Sequence, residues 1–207
     1  MIIAVDGPTA SGKGTIAKAL AEHFGLPHLD TGLLYRAVGR QVLLNGGDPD
    51  DANDALTGCT FPDSLLDDPV LRDEESGGMA SRVSVHPAVR EALFERQRSF
   101  AKQDGGAVLD GRDIGTVIAP EAEAKLFITA SVEARAQRRL LEMRERGAGV
   151  TLLEIQDDLR RRDERDRNRA VAPLVPAPDA MVIDTSSLGR EEAIAAAIEA
   201  VEQAVSA

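Results

Sequence analysis

Gly7-Pro8-Thr9-Ala10-Ser11-Gly12-Lys13 stands between a short apolar run, Ile2–Asp6, and a helical pattern from about Lys13 to Phe24. The spacing satisfies G-x-x-x-x-G-K, and its setting between strand and helix matters as much as its letters. A turn of this kind gathers consecutive backbone N–H groups and a helix N-terminus around one anion site. Glycine lets the chain approach phosphate oxygens without a Cβ in the way. Lys13 adds a mobile point charge for the β- and γ-phosphates. Gly7, Pro8, Thr9, Ala10, Ser11, Gly12, Lys13, Gly14 and Thr15 are therefore the expected nucleotide-phosphate site. Gly14 stands where many such loops place a Ser or Thr for Mg²⁺, and Thr15 follows one residue later.

Outward from this loop, short apolar runs alternate with helical patterns. Leu26–Asp30, Ala107–Asp110, Lys125–Thr129 and Met181–Asp184 read as strands. Thr31 is placed to cap a helix reaching Leu44, in which Leu34, Val38 and Val42 share a face. Pro87 suits the first turn of a helix to about Lys102. Ser131 and Thr151 cap two more, to about Arg146 and Arg169, and Arg190–Val205 closes the chain as an amphipathic helix. Strands alternating with helices of this length predict an α/β fold, a doubly wound parallel sheet covered on both faces.

The 207 residues carry a formal charge of −11, unevenly spread. Between Asn45 and Gly78 there are ten acids against one base, Arg72, among several glycines and prolines. Regular structure there should be short, and the segment is expected to face solvent, since it would oppose anion binding close to the phosphates. Six arginines and three acids crowd into Arg160–Arg169. On the helix pattern, Leu152, Ile155 and Leu159 form an inward stripe, and the same stepping continues onto Arg162, Asp166 and Arg169. Guanidinium groups on an inward face need anionic partners. Asp166 can meet only part of that need, and phosphate fits the planar fork of arginine. Arg135 and Arg139, four apart, are expected on the cleft edge of their helix. Arg112 and Asp113 follow a strand at its carboxyl end, where open α/β sheets bind ligands.

The chain is identified by these features as a phosphate-handling α/β protein, and several function classes drop out. Aromatic residues are 3% with no Trp, which disfavours base-stacking on nucleic acid, and the acidic balance disfavours duplex DNA and anionic membranes. The single cysteine, Cys59, excludes an internal disulfide, and the spacing of His23, His28 and His86 suggests no metal site. No run reaches the length of a membrane span, and the N-terminus lacks a basic leader, so a cytoplasmic protein is expected. An N-K-x-D guanine motif is absent, which argues against a GTP-driven switch.

Asp6-Gly7-Pro8, Gly12-Lys13-Gly14-Thr15, Leu29-Asp30-Thr31-Gly32 with Tyr35-Arg36, Leu109-Asp110-Gly111-Arg112-Asp113-Ile114-Gly115-Thr116-Val117 and Arg162–Leu174 resemble the bacterial-type cytidylate kinases, in order over nearly the whole chain. The resemblance implies a P-loop nucleoside monophosphate kinase that moves the ATP γ-phosphoryl group to CMP and dCMP with Mg²⁺. It implies one domain over 1–207, with a monophosphate-binding segment at 45–86, a small lid and arginine-rich helix at 144–169, and a monomeric state. Carried over by motif, Thr31, Arg36, Ser81, Arg90, Arg112, Asp113, Arg162, Asp166 and Arg169 would contact the CMP. Ser81 and Arg112 with Asp113 would serve cytosine and its surroundings, Asp166 the sugar, and Arg36, Arg90 and Arg162 the phosphate. Lys13, Arg135, Arg139, Arg162 and Arg169 are the expected catalytic cations. One departure is visible: Gly58–Gly78 is too short and too polar for the small β-sheet that better-known members insert there. This bears on the discrimination between CMP, dCMP and UMP more than on the reaction. Related kinases for UMP or AMP would share the loop and the arginines but not the acceptor-site residues.

Overall fold

The computed structural model describes residues 1–145 and 149–206. Five strands, β1 (Ile2–Asp6), β2 (His28–Asp30), β3 (Ala107–Gly111), β4 (Ala124–Thr129) and β5 (Met181–Asp184), pair in the order β2-β3-β1-β4-β5. Every pairing is parallel, with Val5 opposite Asp110 on one side and Leu126 on the other. The central strand is the most apolar, and Ile3, Ala4 and Val5 are fully buried beneath helices on both faces, as parallel sheets require.

On one face, α1 (Lys13–Phe24) and α8 (Arg190–Ser206) pack Ile16, Leu20, Ala197 and Val201 against Ile3, Val5, Leu126 and Ile128. On the other, α5 (Pro87–Ala101) and the π-helical turn Ile114–Ile118 bury Ala4, Leu109, Ile114 and Ala101. α2 (Thr31–Leu44) leads into the insert, which folds as α3 (Ala52–Gly58), two 3₁₀ turns (Asp63–Asp67 and Pro69–Arg72) and α4 (Glu74–Val83). No strand occurs there among the described residues, as its polarity predicts. Its apolar residues pack on α2 instead: Leu65 and Leu71 meet Ala37, and Val83 joins Leu34, Val38 and Val42. α6 (Val132–Glu145) and α7 (Leu152–Asn168) pair across Ala136, Ile155 and Leu159, the predicted inward stripe.

Two helix starts show how caps are chosen. Thr151 forms a full capping box with Glu154, as its position predicts. α2 is capped by Asp30 rather than Thr31, because the Asp30 carboxylate accepts from the Leu33 amide at 3.2 Å. Thr31 is the first helical residue, and its hydroxyl donates to the Asp110 carbonyl at 2.8 Å, joining α2 to β3. The expected start of the lid at 144–149 includes residues 146–148, which lie outside the described residues. Among the described residues no helix is long and apolar enough to cross a membrane.

Candidate active site

β1 delivers the chain into the glycine loop at the carboxyl end of the sheet. At Gly7 the backbone passes so close to β4 that a Cβ would lie 2.1 Å from the Ile128 carbonyl oxygen, so no side chain fits there. Ala10 and Gly12 take positive φ values of 61° and 91°, which curls the loop around its own amides. α1 then starts with no side-chain cap on its N-terminal N–H groups. The Thr15 N–H turns to the Gly12 carbonyl at 3.1 Å, and no side chain competes with an anion for the first turn. Lys13 folds back across it, its Nζ donating to the Pro8 carbonyl at 3.4 Å. Burial, reinforced by nearby Arg112, lowers the Lys13 pKa to about 8.

Two cavities adjoin the loop. One, of about 460 Å³, runs over Ala10–Ile16 toward Thr185, Leu188, Gly189 and Arg190 after β5. The other, of about 220 Å³, is bounded by α2, α4, α5, α7 and the loop after β3. All of Thr31, Arg36, Ser81, Arg90, Arg112, Asp113, Arg162, Asp166 and Arg169 line this second cavity, although they span most of the sequence. Ala10, Lys13, Gly14 and Arg139 line both, so the cavities meet at the P-loop lysine and one arginine of α6.

The second cavity is a set of matched charges. Arg112 joins Asp166 at 2.9 Å and reaches the Thr9 hydroxyl at 2.8 Å, linking this cavity to the loop. Asp113 pairs with Arg90 and with Arg169, the latter at 3.4 Å. Arg162 meets Asp158 at 2.7 Å and Glu74 at 2.5 Å. Arg36 donates to the Leu71 and Asp73 carbonyls at 2.8 and 2.9 Å, gripping the insert just before α4. α4 can come this close because Gly77 has no side chain: a Cβ there would lie 2.9 Å from Arg162 Nη1 and 3.1 Å from Arg36 Nη2. The Ser81 hydroxyl is buried without a hydrogen-bond partner, and Ser81 lies on the lining of this cavity.

Three sequence expectations are corrected by this geometry. The acidic insert does not face solvent throughout: Glu74 pairs with Arg139 and Arg162, because two guanidiniums offset the cost of bringing its charge inward. Burial alone would raise the Glu74 pKa, but Arg162 and Arg139 outweigh it and hold the carboxyl below its usual range. Arg135 is not on the cleft edge with Arg139. It is only 2% exposed, lines neither cavity, and grips Asp163 with two nitrogens at 3.0 and 2.5 Å while donating to the Thr9 and Ala130 carbonyls. Asp166 is not the partner of its own helix: it takes Arg112, while Arg162 and Arg169 find Glu74, Asp158 and Asp113.

Several residues of the site escaped the sequence reading. Asp163 had a signal, since Leu159, Arg162, Asp163 and Asp166 all lie on the buried stripe of α7. Asp30, at the end of β2, pairs in register with Asp110 of β3, and both line the second cavity, with Asp110 Oδ1 2.7 Å from His28 Nε2. Asp6 accepts from the Ile114 and Gly115 amides at 2.9 and 2.8 Å, fixing the turn after Asp113 to the start of the loop. Burial, partly offset by those two amides, raises its pKa to about 7. Glu74 had no signal at all within its acidic run.

The cytidylate kinase family model matches residues 3–203. A cytidylate kinase from Cereibacter sphaeroides is 56% identical over 200 residues, covering 97% of this chain and 94% of that protein. One from Xanthobacter autotrophicus is 55% identical over 202 residues, covering 98% and 97%. Among solved structures, an uncharacterized protein from Eubacterium ventriosum aligns over 98% of both chains at a TM-score of 0.57 and 17% identity, a likeness of fold alone.

Proposed function

The chain belongs to the cytidylate kinase family, and on that premise we propose how its two cavities carry out the reaction. The protein transfers the γ-phosphoryl group of ATP to CMP and dCMP, giving ADP and the diphosphate. The observation that carries the division of labour is the junction of the cavities at Lys13 and Arg139. ATP lies along the loop with its purine toward Thr185–Arg190, and CMP lies among the arginines.

The acceptor needs no general base, because a phosphate monoester with a second pKa of about 6 is already ionised near neutrality. The barrier lies in bringing two anions together, in line, while charge spreads over the transferred group. Lys13 and the amides of Gly12–Thr15 hold the donor phosphates. Arg36, Arg90 and Arg162 hold the acceptor phosphate, Arg139 offsets charge at the junction, and Arg169 does so from within the second cavity. Arg135 supports the loop from beneath through the Thr9 carbonyl rather than touching phosphate. Ser81, Arg112 and Asp113 read the base, and Asp166 the sugar.

Among the described residues no cluster of three or more His, Cys, Asp or Glu side chains could hold a metal by itself. Mg²⁺ asks for less, one or two carboxylates beside substrate phosphates. Asp110 fits, its Oδ2 lying 3.8 Å from where a Gly14 Cβ would be, and Asp30 lines the same wall. Bound there, Mg²⁺ would neutralise charge on the β- and γ-phosphate oxygens. We further propose that the protein works as a monomer in the cytoplasm. Isothermal titration tests the division: Ser81→Ala should weaken CMP binding about tenfold, the scale of one lost buried hydrogen bond. Binding of an unhydrolysable ATP analogue should be unchanged. Equal loss of both ligands would contradict the assignment.

A further inference from the structure

Glu74 opens α4 in the insert, yet its contacts belong to the opposite wall. Its Oε2 accepts from Arg139 Nε at 2.6 Å and from Arg139 Nη2, and its Oε1 accepts from Arg162 Nη2 at 2.5 Å. Arg162 also donates to the Glu74 carbonyl at 3.3 Å. One carboxylate thus ties α4 to both α6 and α7. The side chain is 34% exposed, whereas that of Asp163 beside Arg135 is 6% exposed, so Glu74 can withdraw into water while Asp163 cannot. Two guanidiniums donating to two oxygens are also the donor pattern that a phosphoryl group satisfies.

We propose that Glu74 is a positioning residue of the transfer reaction, which occupies Arg139 and Arg162 until an acceptor fills the cleft and so sets the preference for CMP over water. The inference rests on the reading of the protein as a CMP kinase. In the wasteful reaction a water oxygen bonds to the γ-phosphorus, the bond from phosphorus to the β,γ-bridging oxygen breaks with its electron pair, and ADP leaves while a proton passes to solvent. In the productive reaction an acceptor phosphate oxygen takes the place of water. With ATP alone, Arg139 and Arg162 remain on Glu74, and the charge developing on the transferred group lacks them. An arriving monophosphate carries about −1.5 to −2 charges against the single charge of Glu74. It displaces the carboxylate, and both arginines turn to the phosphates only when the acceptor is in place.

Glu74→Gln keeps the length of the side chain and removes its charge. The test measures inorganic phosphate release from MgATP without acceptor, and CMP phosphorylation, in wild type and variant. The ratio of hydrolysis to transfer should rise about tenfold or more, a difference of ~1.4 kcal/mol in barrier. Inhibition by inorganic phosphate should strengthen by a similar factor, because the anion no longer competes with a carboxylate. A ratio at or below the wild-type value, with CMP phosphorylation retained, overturns the proposal; so does an equal slowing of both reactions. If Glu74→Gln does not fold, Glu74→Asp decides, since a side chain shorter by one methylene cannot span both guanidiniums and the same rise is required. A wild type without CMP-dependent turnover would instead count against the proposed function, and the phosphate inhibition would still decide the role of Glu74.

Discussion

In the proposed donor loop the groups assigned to meet charge are backbone amides and one lysine, all between Gly7 and Thr15, and their geometry is fixed by glycines and by close contact with β4. In the acceptor cleft they are arginines from α2, α5, α7 and the loop after β3, nearly all set against a carboxylate from elsewhere in the chain. The loop is local, and a change in it removes a donor outright. The cleft is distributed, and a change in it also strands a partner, because truncating one member of a buried pair leaves the other uncompensated. Donor-side substitutions should therefore act on turnover with little effect on stability, while acceptor-side substitutions should act on both.

The largest effect expected is that of Lys13→Ala. It removes the loop's own cation, one of two shared by both cavities, and should lower kcat about 10³-fold or more, with the melting temperature nearly unchanged. Steady-state kinetics beside calorimetry checks this, and a large fall in melting temperature would blur the contrast between the two regions. Asp113→Asn tests the other side. It deprives Arg90 and Arg169 of their shared carboxylate, so KM for CMP should rise about tenfold to a hundredfold and stability should fall by about 3 kcal/mol. Loss of one without the other would break the coupling of charge balance to binding.

Asp163→Asn should cost about 3–5 kcal/mol by freeing the buried Arg135, roughly 10 °C or more in melting temperature for a chain of this size. Because Arg135 also holds the Thr9 carbonyl, KM for ATP should rise more than KM for CMP. This variant sharpens the comparison, for it is a distributed ion pair that serves the local loop.

The pH predictions are smaller. Burial holds the Lys13 pKa near 8 in the free protein, and on the proposed reading its charged form binds phosphate, so kcat/KM for ATP should fall above about pH 8. The corresponding limb in kcat should lie higher, since bound phosphates favour the ammonium. Asp6 has its folded pKa raised to about 7 from an ordinary 3.8, so the folded state holds the extra proton between those values. Its contribution to stability is therefore full below about pH 4 and is lost as pH rises through 7. Asp6→Asn should flatten that slope in chemical denaturation at a series of pH values, and an unaltered slope would remove Asp6 from the account.

How much of this was legible in the sequence follows the same division. The donor loop could be read because its signal is local: a strand, a glycine turn and a helix in succession. The strands were found by their apolar runs, and the α7 stripe by its spacing. Most cleft arginines were found by motif, and the structure gathers them around one cavity. The matching of charges was not legible. Which carboxylate faces which arginine depends on crossings between distant elements, as with Glu74 and Arg139 or Asp113 and Arg90, and no local pattern encodes it. Asp30 displaced Thr31 as the cap because Thr31 had a better partner on β3, which the sequence could not reveal. Arg135 and Arg139 share a helical spacing, yet one is buried under the loop and the other opens onto it.

On the proposed reading the arginine cleft is a selective acceptor site separate from the donor loop. The direct test is a coupled assay of ADP release from MgATP with CMP, dCMP, UMP, AMP or no acceptor, for the wild type and Arg169→Ala. Strong preference for CMP and dCMP is expected in the wild type, and in Arg169→Ala a turnover lower by ~10²–10⁴ with binding of the ATP analogue retained. Turnover that favours another acceptor, or ADP release that does not depend on acceptor, would contradict that reading.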